Sequence, residues 1–166
     1  MPFLICAGLG VFSIRGEAAE QVLLKYSFLR ETISVAELSR FAETGELSPS
    51  LRAYLDMANQ NPTEFRKALT DEVEVDSILL YRILNSFPGE LLLDQLSNVI
   101  HTPDQRADRQ SLRAALVSSA LTDNTISLIE IFENYPTPVV EIEGDRLVDI
   151  ARRINRVLGK LPPLPF

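Results

Sequence analysis

The sequence predicts one mainly helical α+β domain: a compact bundle of about eight short helices with a small three-stranded antiparallel sheet, which pairs an N-terminal hairpin with a C-terminal strand. Three observations predict it. Apolar residues recur at three-to-four spacing through most of the chain between residues 34 and 158. Helix-opening residues recur in that stretch, as Ser34, Ser48-Pro49, Asn61-Pro62 and Asp76. Two-residue alternation is confined to the neighbourhoods of residues 21 and 139. With 166 residues, 46% of them hydrophobic, the chain is long enough for one substantial core. A charged fraction of 23% and only 7 Gly place it far from disordered compositions.

From Gln21 to Phe28 the chain alternates, with Val22, Leu24, Tyr26 and Phe28 on one face and Leu23, Lys25 and Ser27 on the other, which is strand periodicity. Arg30 and Glu31 read as a polar turn, and Thr32 to Val35 as the returning strand. Ser34 with Glu37 forms a capping box for a helix with Leu38, Phe41 and Ala42 inward, and Gly45 stops it. Proline after the capping residue opens the next two helices, because the first helical position forfeits a donor that has no partner anyway. Their stripes are Leu51, Tyr54, Leu55 and Ala58, then Phe65, Ala68 and Leu69. Asp76 caps a helix through Ser86 that is apolar nearly all round (Ile78, Leu79, Leu80, Tyr81, Ile83, Leu84), as expected of a central buried helix. Phe87, Pro88 and Gly89 break it, and Leu92, Leu93, Leu96, Val99 and Ile100 form a further helix. After a polar connection from Thr102 to Asp108 come a helix with Leu112, Ala115, Leu116 and Ser119, and another with Ile126, Ile129 and Phe132. Pro136 and Pro138 close the helical block. Val139, Val140 and Ile142 read as a strand entering a last helix aligned on Leu147, Ala151, Ile154 and Leu158. A lone hairpin is marginal in water, so front hairpin and back strand are expected to share one sheet.

The expected organisation is an N-terminal apolar segment over 1–18, a single helical domain over 19–159 and a Pro-rich tail over 160–166. The run from Phe3 to Ile14 is too short to span a bilayer, which needs about 20 residues. Its length suits the apolar region of a secretory signal, with small residues at Gly16 and Ala18 for cleavage, although no Lys or Arg precedes it. Export to a periplasm or thylakoid lumen, or tethering to a membrane through this segment, is the expectation. The tail, with Pro162, Pro163 and Pro165, favours an extended polyproline conformation.

The net charge of -7 opposes nucleic acid as a partner, since phosphate neutralisation by Lys and Arg supplies most of that affinity. The clusters Arg106, Arg109, Arg113 and Arg152, Arg153, Arg156 recur at helical spacing and read as solvated faces. One cysteine, Cys6, excludes an internal disulfide and a cysteine-based zinc site. No G-x-S-x-G is present, and His101, the single histidine, falls at a predicted helix end as a surface or capping residue. The densest acidic group, Asp71, Glu72, Glu74 and Asp76, has no calcium-loop pattern and reads as a solvated loop that caps the next helix. The sequence therefore nominates no catalytic, cofactor-binding or metal-ligating residue, and no cofactor is expected. Paired carboxylates carry no local signature, so a hydrolase-type enzyme with a carboxylate site stays open, as does a lipid or membrane-surface binding domain.

Three stretches carry a family resemblance: ISVAELSRFAETGELSPSLRAYL from Ile33, VEVDSILLYRILNSFPGELLLDQLSNVIHT from Val73, and SLRAALVSSALTDNTISLIEIFENYPTPVVEIE from Ser111. Over about Ala19 to Leu158 the chain resembles a cyanobacterial domain-of-unknown-function family, usually found between a signal peptide and an α/β-hydrolase domain. The resemblance implies export, and an accessory or protein-interaction role beside a hydrolase, here in trans, because the hydrolase domain is not in this sequence. Its motifs are patterns of packing and turns, and no nucleophile or triad residue is carried over.

Overall fold

The computed structural model describes residues 18–146, together with Asp149 and Arg156. The expected signal segment up to residue 17, the last helix aligned on Leu147, Ala151, Ile154 and Leu158, and the Pro-rich tail lie outside the described residues.

The chain opens with β1 (Gln21–Tyr26) and β2 (Leu29–Ser34), followed by α1 (Val35–Thr44), α2 (Pro49–Met57) and α3 (Pro62–Thr70). Then come the two-residue strand β3 (Val73–Glu74), α4 (Ser77–Leu84), α5 (Phe87–Ser97) and a second two-residue strand, β4 (Ile100–His101). The long α6 (Asp108–Asp123), β5 (Thr125–Ile126), α7 (Leu128–Glu133), β6 (Val139–Glu143) and a 3-10 turn over Gly144–Arg146 complete it.

The helix starts follow the residues that open them. Ser34, Ser48, Asn61 and Asp76 each accept backbone N–H groups at the first turns of α1 to α4. Ser34 makes only half of the expected capping box: its hydroxyl accepts the Glu37 N–H at 3.1 Å, while the Glu37 carboxylate accepts the hydroxyls of Ser48 and Ser50 at the start of α2. A complete box stands instead at Ser127 and Glu130, opening α7. The Phe87-Pro88-Gly89 breaker is itself the first turn of α5, capped by Ser86. The expected stripe beyond it stops at Ser97, so that Val99 and Ile100 leave the helix and Ile100 enters β4. Ile126 lies on β5, one residue before the Ser127 cap.

Seven α-helices occur among the described residues, but the sheet differs from the expected three-stranded antiparallel one. It has four strands in the order β2-β1-β6-β4, and its central pair, β1 and β6, runs parallel. β2 pairs antiparallel with β1, and β4 antiparallel with β6. β3 and β5 make a separate two-stranded antiparallel sheet. The direction of a strand leaves no trace in its alternation, since period two is the same for either pairing. The hairpin turn also sits earlier than expected. Ser27 and Phe28 form it, with Ser27 at φ 55 and its N–H donated to Asp145, while Arg30 and Glu31 belong to β2.

The core lies between the sheet and the helices. Val22, Leu24, Ile33, Ile100, Val140 and Ile142 cover one sheet face, and Phe41, Leu55, Leu93, Leu116, Phe132 and Tyr135 meet them from the helical side. Each large apolar side chain fully withdrawn from water contributes roughly 1.5–3 kcal/mol. Phe41 and Phe65 stack at 6.1 Å and join α1 to α3. The expected central buried helix does not occur: α4 buries Leu80 and Leu84, while Ile78 and Tyr81 are 59% and 56% exposed. It packs on α5 and α6 along one side only, which leaves its opposite apolar side in solvent.

Candidate functional site

Alternation along the strands sorts the sheet residues. With Val22, Leu24, Val140 and Ile142 turned into the core, the intervening Leu23, Lys25, Glu141 and Glu143 share the opposite face. The parallel register sets Leu23 beside Glu141 and Lys25 beside Glu143, and the antiparallel register of β4 sets His101 on the other flank of Glu141. Four charged or titratable groups from three strands thus converge. A backbone bond from Glu143 N–H to the Val99 carbonyl at 3.0 Å holds β4 against β6 there.

His101 and Glu141 are buried, at 3% and 6% exposure. The Lys25 ammonium donates to Glu141 Oε1 and lies 3.6 Å from Glu143 Oε1. His101 Nε2 stands 3.7 Å from Glu141 Oε1 and 3.8 Å from Glu143 Oε1. Its other nitrogen, Nδ1, is 2.9 Å from the Thr102 carbonyl. A carbonyl only accepts, so Nδ1 carries the proton, and in the neutral ring Nε2 presents a lone pair towards the two carboxylates. One ligand atom from each of His101, Glu141 and Glu143 can be drawn within 4.8 Å of the others, the only such trio of metal-ligating types among the described residues.

The cluster opens on a cavity of about 520 Å³ whose lining includes His101, Gln105, Asp108, Glu143, Asp145 and Arg146. Thr102 is fixed beside it, its N–H and hydroxyl each 2.7 Å from Asp108 Oδ1. A larger groove, about 860 Å³, runs along α1 past Ser39, Arg40, Glu43 and Glu133, without a converging ligand set.

His101 is therefore neither on the surface nor on a helix end, contrary to expectation. It occupies a strand too short to show periodicity, which is why the sequence placed it wrongly. Lys25, Glu141 and Glu143 went unnoticed too, although the alternation of β1 and β6 already put each on the polar face. The acidic run behaves as expected: Asp71 pairs with Lys67 at 2.7 Å and Asp76 caps α4, with Val73 and Glu74 additionally paired to β5. Of the basic residues, Arg109 grips Asp94 through two nitrogens at 2.8 and 2.7 Å, and Arg113 Nε donates to the Leu84 carbonyl at 3.1 Å. These two clamp α6 to α5 and α4 and are not the solvated face expected, whereas Arg106 is exposed. In the second cluster, Arg156 is exposed, and Arg152 and Arg153 lie outside the described residues.

Fold and site together define a small, predominantly helical α+β domain with a polar cluster on the outer face of a mixed sheet. The chain belongs to the family described as alpha/beta hydrolase of unknown function (DUF1400), which matches residues 18–143. No curated protein and no solved structure matches it.

Proposed function

We propose that this domain is a non-catalytic accessory module that docks on an α/β-hydrolase through the outer side of α4 and α5. The observation that carries this reading is the exposure of Ile78 and Tyr81 on α4 and of Phe87 and Leu91 on α5, at 59%, 56%, 74% and 48%. Large apolar and aromatic side chains left in water on neighbouring helices are the usual anchors of a protein interface. The occupant is suggested by the family, whose description names a hydrolase. The matched residues fold around a four-stranded mixed sheet and contain no G-x-S-x-G, so the hydrolase chemistry is assigned to the partner. The apolar run from Phe3 to Ile14 supports an exported or membrane-tethered location for the pair.

Cross-linking and purification of the full chain from its native cells tests this. A hydrolase bearing a nucleophile elbow is expected to co-purify, and to be lost on the double substitution Tyr81→Asp and Phe87→Asp with the circular dichroism spectrum unchanged. Retention of no such hydrolase overturns the proposal. A second reading, an enzyme using paired carboxylates, is favoured by Glu141 and Glu143 facing His101 beside the cavity. Ester turnover by the isolated chain that disappears in Glu141→Gln would select it.

A further inference from the structure

We infer that His101, Glu141 and Glu143 form a binding site for a divalent first-row metal ion, with Lys25 as the exchangeable cation of that site. This goes beyond the docking role and does not depend on it. Three features carry the inference.

The first is the donor set and its spacing. Ligands about 2.1 Å from a tetrahedral ion lie roughly 3.4 Å apart. The separations from His101 Nε2, 3.7 and 3.8 Å, need only a few tenths of an ångström of contraction, and the two carboxylates, within 4.8 Å of each other, close the rest by side-chain rotation. One imidazole with two carboxylates suits Zn²⁺ among the first-row ions and leaves a coordination position open towards the cavity.

The second is the orientation of the imidazole. Its side chain is 4% exposed and its Nδ1–H is committed to the Thr102 carbonyl. That outer hydrogen bond is the device that aims the opposite nitrogen at a metal. With Nδ1 so committed, Nε2 is the nitrogen turned to the carboxylates, 3.7 Å from Glu141 Oε1 and 3.8 Å from Glu143 Oε1, where a bound cation would sit among the three donors. Thr102 is itself held by Asp108, so the ring has a fixed support.

The third is charge. Two carboxylates meet one ammonium, leaving an excess negative charge on a largely buried face. The Lys25 side chain is 21% exposed on a flexible four-carbon stem, so its head can withdraw to water when a dication takes the carboxylates.

The test uses the full chain without an affinity tag, stripped with chelator and titrated with Zn²⁺ by calorimetry and by ¹⁵N NMR. His101 is the single histidine, so one imidazole signal reports the site. One Zn²⁺ per chain is expected, with a shift of the Nε2 resonance. Lys25→Met is expected to bind about ten-fold more tightly, and His101→Gln and Glu143→Gln at least about ten-fold more weakly. Glu143, 35% exposed, is the variant least prone to unfold, and circular dichroism verifies each. A wild-type chain without stoichiometric binding, a stationary Nε2 resonance, or a folded Glu143→Gln that binds like wild type would each overturn the site.

Discussion

Lys25 on β1 donates a hydrogen bond to Glu141 on β6 across the parallel ladder, a contact between residues 116 positions apart. Glu141 is the more buried partner, with its side chain 8% exposed against 21% for lysine. Removing the ammonium strands a carboxylate that has little water to turn to. In metal-free buffer, Lys25→Met is expected to destabilise the fold by about 2–3 kcal/mol, less than the roughly 3–5 kcal/mol of a fully buried pair because the lysine is part-exposed. Adding Glu141→Gln should restore most of that, and urea unfolding of the four proteins in a double-mutant cycle measures the coupling.

Gly89 gives a steeper dependence. A Cβ at this position would stand 1.9 Å from the Ile83 carbonyl oxygen and 2.7 Å from Leu84 Cα, both backbone. No side-chain rotation relieves that, so Gly89→Ala must push α5 off α4. The expected loss is about 3 kcal/mol or more, at the upper end of overpacking effects, seen as a lower melting temperature. Gly45→Ala at the end of α1, where φ is 76, should cost only about 1 kcal/mol, since the space beside it is filled by the flexible Arg66 side chain.

Tyr54 and Tyr135 set the alkaline limit. Both hydroxyls are buried without a hydrogen-bond partner among the described residues. Burial, reinforced by the charges of Asp145 and Glu31, pushes the Tyr54 phenol up to about 12. Burial with the charge of Asp108 pushes Tyr135 up further. The folded state thus holds these protons more tightly than the unfolded chain, so their contribution is complete below pH about 10 and falls as pH rises from there through the folded value near 12. Tyr54→Phe should flatten that decline, and at neutral pH should leave stability unchanged or raised by up to about 1 kcal/mol. Denaturant midpoints from pH 8 to 12 decide it.

Ser127 opens α7 with a closed capping box: its hydroxyl accepts the Glu130 N–H and the Glu130 carboxylate accepts the Ser127 N–H at 2.7 Å. Ser127→Ala is expected to cost about 1 kcal/mol. Hydrogen exchange should accelerate first at Glu130, whose amide loses the Ser127 hydroxyl that accepts it.

The helices were legible because their starts are local. A capping oxygen and the following proline or acidic residue act within one turn, so Ser48-Pro49, Asn61-Pro62 and Asp76 marked α2 to α4 without knowledge of the rest. The sheet was legible in part. Alternation marked β1 and β6, but their parallel alignment is a property of two distant segments, and β4 holds only Ile100 and His101. Losing β4 also lost the candidate site, since His101 reaches Glu141 only through that pairing. The exposed side of α4 was misread for a similar reason: an all-apolar helix looks the same whether a neighbour or water covers its second side.

The parallel seam between β1 and β6 has a consequence for synthesis. The strand made first cannot acquire its second neighbour until residues 139–143 leave the ribosome, after every helix from α1 to α7 has already emerged. Throughout that interval one flank of β1 offers bare amide and carbonyl groups to any extended peptide nearby. A nascent chain stalled or cleaved before Val139 therefore keeps that flank of β1 bare, and the five residues of β6 are what cover it.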